Sequence, residues 1–290
     1  MLNRNHLILF FIFLAVFDFF VWQSVLTGKQ NKNLELYFLD IGQGDSELAI
    51  LPGGVKILID GGPSNKVLSE ISSVLKPTDK YIDLVAMSHP QYDHFAGLID
   101  VLKRYQVGAF IYSGRAGEIA AFGDLEKVLK NKNIPVIVLG EGDKIKHQKS
   151  IINILSPSKE FLSSKELNDT TLVMKLHYID DRQPNVMFKV LFTGDIGFKV
   201  ENYLAEKYDI KVDVLKVGHH GSKYSSGDLF LKKTNPKISV IEVGKNTYGH
   251  PTKNVLNRLT NIGSQIFRTD QDGTVKLSVS DKEINIFKKK

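Results

Sequence analysis

From Leu34 onward the chain alternates between two hydrophobic rhythms. The stretches "LELYFLDIG", "SELAILP" and "VKILIDGG" read as strands, the last two forming a hairpin across Pro52-Gly53-Gly54. Short apolar runs recur in "YIDLVAMSH", "VGAFIYS", "IPVIVL", "VMFKVLFTGD" and "KISVIEVG", as expected of buried strands. Between them, "NKVLSEISSVLK", "FAGLIDVLKRY", "AGEIAAFGDLEKVLKNKN", "FKVENYLAEKY", "SGDLFLKKTN" and "PTKNVLNRLTNIG" repeat apolar residues at helical spacing. "KVDVLKVGHHG" reads as one strand running into its histidines, and the closing "KKK" as a solvated tail. Helices fall in both halves and strand-rich stretches separate them. That order suits an α/β fold of two face-to-face sheets with helices outside, not one doubly wound sheet. No long linker divides residues 34–290, which are therefore expected to form one unit.

The first 33 residues follow neither rhythm. "LILFFIFLAVFDFFVWQSVL", residues 7–26, is almost wholly apolar and about long enough to cross a bilayer. Asp18 interrupts it, at roughly 2.5–3.5 kcal/mol in mid-membrane, and Trp22 suits the interface. "SVLTGKQN" offers no clean small-x-small cleavage site, so an uncleaved anchor is expected, with a cleaved signal peptide and secretion as the alternative. A single N-terminal anchor places the rest of the chain outside the cytoplasm, although Arg4 against Lys29 and Lys32 leaves the charge rule undecided.

Composition narrows the chemistry. The 290 residues carry a formal charge of +6, mild enough to permit an anionic partner without requiring one. With no cysteine there is no disulfide, thiolate nucleophile or Cys-type zinc site, so any metal is held by His, Asp, Glu or amide oxygen. No Gly-x-Gly-x-x-Gly opens a helix and no Walker loop is present, so no nucleotide cofactor is expected.

Five strand ends carry groups that bind metal or move protons: "DIGQGD", "HPQYDH", "TGD", "VGHHGS" and "YGHP". Singly, a His at a strand end or an Asp after Gly is more often structural. Together, five such sites at wide separation point to a shared centre, since turns need no histidine. The run His89, Gln91, Asp93, His94 on one tight turn can aim ligands at two neighbouring points, and Asp195 can bridge them. Two cations about 3.5–4 Å apart generate a hydroxide nucleophile at neutral pH and neutralise phosphodiester oxygens.

"HPQYDH" resembles the His-x-His-x-Asp-His signature of the metallo-β-lactamase fold. The ordered set "FLDIGQGD…LIDGG…SHPQYDHFAGL…LFTGD…LKVGHHGS…GHP" is similar to the C-terminal hydrolase domain of the ComEC competence family, from about Leu36 to Val279. The chain resembles a freestanding relative of that domain, without the family's polytopic channel region. The resemblance implies a four-layer αββα sandwich preceded by a single apolar helix. It implies one or two divalent ions, Zn²⁺ or Mn²⁺, bound by His89, Gln91, Asp93, His94, Asp195 and His250. It also gives Asp93 a catalytic part, makes His219 or His220 a proton donor or charge clamp, and leaves Asp45, Asn168, Thr171 and Ser222 in support. Gln91 stands where relatives usually show Asp, so the position built on His89, Gln91 and Asn168 is expected to hold metal weakly. The one built on Asp93, His94, Asp195 and His250 is expected to hold it tightly. DNA is the implied substrate, met by Lys223, Lys245 and Tyr248 at the rim. A cell-envelope phosphodiester, a phosphorylcholine ester, a lactone, or DNA binding without catalysis are the other readings.

Overall fold

A computed structural model describes residues 3–26, 33–179, 187–280 and 283–289. Helix α1 (Arg4–Leu26) comes first, followed by β1 (Leu34–Phe38), β2 (Glu47–Ile50), β3 (Lys56–Ile59), α2 (Lys66–Val74) and β4 (Tyr81–Ala86). Next come α3 (Tyr92–Arg104), β5 (Gln106–Tyr112), α4 (Ala120–Asn131) and β6 (Val136–Val138). The second half opens with β7 (Lys144–His147), β8 (Ser150–Ser156), the single turn α5 (Lys159–Leu162), β9 (Val173–Ile179) and β10 (Met187–Phe192). It continues through α6 (Phe198–Lys207), β11 (Val214–Lys216), α7 (Asp228–Thr234), β12 (Ile238–Ile241), α8 (Lys253–Asn261) and β13 (Gln265–Arg268). The short α9 (Thr269–Asp272), β14 (Thr274–Ser280) and β15 (Glu283–Lys289) close it.

These strands make two sheets, ordered β15-β14-β1-β2-β3-β4-β5-β6 and β13-β12-β11-β10-β9-β8-β7. Alternation along β1 shows why they stack. Leu34, Leu36 and Phe38 point between the sheets, whereas Tyr37 and Leu39 join the core beneath the helices. Phe38 meets Phe192 of the opposite sheet with ring centroids 6.4 Å apart. α2, α3 and α4 cover the outer face of the first sheet, and α6, α7 and α8 cover that of the second. The result is the expected αββα sandwich, with about 1.5–3 kcal/mol of hydrophobic stabilisation per fully buried large apolar side chain.

The parallel pairs decide where loops gather. β3 to β6 run parallel in one sheet, and β10 to β13 in the other. Their carboxyl ends emerge on one edge of the sandwich, the usual place for a ligand in such sheets. Two glycines let the local backbone close up there. A Cβ on Gly97, in α3, would lie 2.0 Å from the Gly61 carbonyl oxygen; one on Gly44 would lie 2.2 Å from that of Asp93.

Two local expectations are corrected. β11 stops at Lys216, and "GHHG" is a tight turn in which His219 and His220 have φ of 51° and 52°. The "KKK" tail is not wholly free: Lys288 and Lys289 belong to β15, because Ile284 and Ile286 pack against the core and draw the segment onto β14. Lys29 and Lys32 lie outside the described residues. α1 is 23 residues long, about 35 Å, and its apolar side chains from Leu7 to Trp22 are exposed. By length and composition it can cross a bilayer.

A paired substitution tests the packing at Gly97. Gly97→Ala is expected to destabilise by about 1–3 kcal/mol, since backbone cannot yield as a side chain can. Gly123→Ala in α4, where nothing lies within 4 Å, is expected to stabilise by up to about 1 kcal/mol. Urea denaturation of both variants measures the contrast; equal effects would refute the steric account.

Candidate metal centre

Six segments supply the site. β1 leads into Asp45, β3 into Asp60, β4 into His89 and the first turn of α3, β10 into Asp195, β11 into His219 and His220, and β12 into Glu242. Asp93 and His94 open α3, so the carboxylate sits favourably at the positive end of the helix dipole. The two adjacent left-handed residues His219 and His220 each cost roughly 1–2 kcal/mol, strain typical of a functional turn. It turns their rings apart, with centroids 6.2 Å apart and planes at 76°.

The hydrogen positions of two histidines follow from their partners. His94 Nδ1 lies 2.8 Å from Asp60 Oδ2, and His220 Nδ1 lies 2.9 Å from the Glu242 carbonyl oxygen. Both partners only accept, so each Nδ1 carries the hydrogen. The Nε2 atoms converge on carboxylates. His94 Nε2 is 3.4 Å from Asp195 Oδ2, and His220 Nε2 is 3.5 Å from the same oxygen and 3.3 Å from Asp93 Oδ2. His94 Nε2 is buried without a hydrogen-bond partner. Neutral imidazoles would aim two lone pairs at two carboxylates, an arrangement that requires protons or a metal cation between them. The spacing fits one: a tetrahedron with corners about 2.1 Å from its centre has edges of about 3.4 Å.

Charge follows the same geometry. Burial opposes ionisation of His94, but Asp195, Asp45 and Asp60 raise it well above the usual range; His220 rises likewise, against burial, to about 10 beside Asp195 and Asp45. Burial acts upward on Asp195, yet His220 and His94 pull it well below a normal carboxylate. Asp93 is also lowered, burial being outweighed by His220 and His94. In the metal-free state the imidazoles hold protons where a metal would otherwise sit.

The group Asp93, His94, Asp195 and His220 differs from the expected tight set by one member. His220 stands in this group, where the left-handed turn swings it inward, and His250 does not. His250 stands beside His219, with ring centroids 5.7 Å apart, and is held down from the usual histidine range by burial and by His219 and His220. His219 is partly open, 3.8 Å from Asp195 Oδ2, with Asn168 Nδ2 3.4 Å from its Nδ1. His89 is wholly buried, 2.9 Å from Gln91 Oε1 through Nε2, and is lowered to about 4 by burial and His94.

Other expected residues stand farther back. Asp45 is buried against His220 at 3.2 Å and bonded to Lys216. Thr171 donates to the Asn168 carbonyl and Ser222 accepts from the Tyr224 N–H, both shaping their turns. Lys223, Lys245 and Tyr248 are exposed, Lys223 lying over the Tyr224 ring. Sequence reasoning did not single out Asp60, Ser88, Lys216, Glu47, Glu242 or Asn246. The last pins the loop bearing Tyr248 and His250 by accepting from both backbone N–H groups, each at 3.1 Å. Except for Asn246 and Ser88, the signal was a charged residue inside or just after an apolar strand, as in "VLKV" and "VIEV".

No family model matches the chain. It is 30% identical over 264 residues to "ComE operon protein 3" of Bacillus subtilis, covering 83% of this chain and 32% of that protein. It is 28% identical over 254 residues to "Recombination protein 2" of Haemophilus influenzae, covering 86% and 29%. The chain thus spans about a third of the length of these curated relatives. Among solved structures, the metallo-β-lactamase fold protein YhfI from Bacillus subtilis covers 85% of this chain over its full length, at 14% identity and TM-score 0.56. A long-form RNase Z from yeast also covers 85%, with 42% of its own chain matched, 14% identity and TM-score 0.55. The chain therefore has the metallo-β-lactamase fold and is a homologue of the proteins named ComE operon protein 3 and Recombination protein 2, matching a part of each.

Proposed function

We propose that this chain is a metal-dependent phosphodiesterase acting on DNA, tethered to a membrane by α1. The observation that carries the reading is the convergence of His94 Nε2 and His220 Nε2 on the Asp93 and Asp195 carboxylates, with both Nδ1 hydrogens committed elsewhere. These four side chains would hold a divalent ion, Zn²⁺ or Mn²⁺. Such an ion lowers the pKa of bound water and neutralises charge on a phosphodiester. The names of the homologues, one after a competence operon and one after recombination, support DNA as substrate.

The chain's own groups do the rest. Asn168 donates to His219 Nδ1, which leaves the ring hydrogen on Nε2 at the open side of the site. That Nε2–H would there donate a hydrogen bond to the charge developing on a phosphodiester oxygen, an interaction worth about 10²–10³-fold in rate. Asp60 and the Glu242 carbonyl orient the two ligand imidazoles, and Asp195 bears the negative charge that draws the cation in. Exposed Lys223, Lys245 and Tyr248 stand where a polyanion and its bases would meet the rim.

The full chain, purified in detergent and loaded with Mn²⁺ or Zn²⁺, is expected to cleave DNA. His220→Ala is expected to lose both bound metal and cleavage. His219→Ala is expected to keep the metal and lose about 10²–10³-fold in kcat. Asp60→Asn is expected to weaken metal binding about 10–100-fold through misorientation of His94. Bound metal without cleavage of DNA or of a small phosphate diester would overturn the reading.

Metal binding is also expected to release protons. His220, raised to about 10, and His94, raised well above its usual range, both enter the metal-free centre protonated at pH 7. Each must lose a proton to bind, so apparent affinity rises with pH toward about 10, by up to about tenfold per unit for each proton released. Calorimetric titration in buffers of different ionisation heat counts the protons directly. A count of zero at pH 7 would remove the argument.

A further inference from the structure

We propose that Lys216 supplies, as an ammonium fixed to the fold, the second positive charge of this centre, which therefore takes one divalent cation and not two. The inference rests on the metal-hydrolase reading above and specifies its stoichiometry.

Asp195 shows the asymmetry most directly. Its Oδ2 is turned toward His94, His219 and His220, at 3.4, 3.8 and 3.5 Å. Its Oδ1 makes no hydrogen bond, and the ammonium that approaches it is Lys216 Nζ, 4.0 Å away. A carboxylate that joins two metal ions presents a cation to each side. Here the far side has a cation already, attached through a wholly buried side chain at the end of β11. Lys216 also donates to the Asp45 carboxylate and, at 3.2 Å, to the Gly194 carbonyl, so the ammonium is held in place by oxygen acceptors on separate loops.

The other position from which a second ion would draw ligands is capped. Ser88 Oγ lies 2.5 Å from Asp60 Oδ2 and 3.0 Å from His89 Nδ1. A carboxylate only accepts, so the hydroxyl hydrogen goes to Asp60 and the hydroxyl accepts from His89 Nδ1–H. The lone pair of His89 is therefore on Nε2, and its neighbour at 2.9 Å is the amide of Gln91. A half-turn of that amide exchanges its oxygen and nitrogen, and the hydrogen count requires the NH₂ end toward His89. Gln91 thus occupies the nitrogen that an ion would need, something an aspartate could not do.

Removing the ammonium tests the idea by gain of binding. Without Lys216, oxygens of Asp45, Asp195 and Gly194 would line a pocket suited to a hard cation. Metal-free full-length protein is titrated with Mn²⁺; bound ions are counted by equilibrium dialysis with elemental analysis, and Mn²⁺ paramagnetic resonance separates isolated from coupled ions. The wild type is expected to bind one isolated ion, Lys216→Arg one, and Lys216→Met two. Two ions per wild-type chain would overturn the proposal, as would a folded Lys216→Met that binds one ion with wild-type affinity. If Lys216→Met folds only with Mn²⁺ and then holds two ions, the proposal stands. If it folds under neither condition, the wild-type count decides, one upholding and two refuting. A wild-type count of zero is a separate failure, since it refutes the metal-hydrolase reading itself.

Discussion

Buried negative charge governs this structure. Asp45, Glu47, Asp60, Asp195 and Glu242 are all at most 2% exposed and gather at one edge of the sandwich. An unpaired carboxylate in such surroundings either costs several kcal/mol or takes up a proton. Both solutions are visible. Asp45 and Asp195 stay ionised, against the upward effect of burial, because Lys216, His94 and His220 surround them. Glu47 and Glu242 go the other way: burial and mutual repulsion with Asp45 raise Glu47 well above, and Glu242 to about 8. The ionised carboxylates are the ones next to the convergent imidazoles.

That arrangement accounts for the strained backbone. The left-handed "HHG" places His220 Nδ1 against the Glu242 carbonyl and Nε2 against Asp93 and Asp195 while His219 turns outward. The strain of two left-handed residues is offset only if the rings are fixed by what they meet. His220 meets acceptors on both nitrogens, and His219 meets Asn168. The close approaches at Gly44 and Gly97 serve the same end, since they press the Asp45 loop and the Asp60 loop onto the first turns of α3.

How much of this was legible in the sequence depends on where a residue sits relative to its strand. Asp93, His94 and Asp195 sit in polar turns that follow apolar runs, and a ligand-capable side chain among histidines and glycines there is conspicuous. Choosing between His220 and His250 needed the handedness of a four-residue turn, which tertiary contacts set. Asp60 and Glu242 come right after apolar runs, and Lys216 and Glu47 lie within them, where a reader counting hydrophobic positions passes over a single charge. A charge in a strand buried on both faces has no solvent to reach, so it must have a partner, and the partners are remote in sequence: Lys216 and Asp45 are 171 residues apart. The two-sheet architecture was legible because alternation and helical spacing are local. β15 was not, since its lysines hide the two isoleucines that hold it.

Surface and buried charge carry different duties here. The formal excess of +6 comes with exposed lysines such as Lys223 and Lys245, whose field reaches a polyanion across about a Debye length and weakens as salt rises. Lys216 contributes one unit to the same sum yet has no such reach, because its field is spent on Asp45 and Asp195 within 4.0 Å. Under the proposed function, net charge bears on how an anionic strand would be gathered and says nothing of how the buried centre is balanced. The inner set is fixed by geometry and shielded from ions in solution. The outer set is exposed and screened by salt.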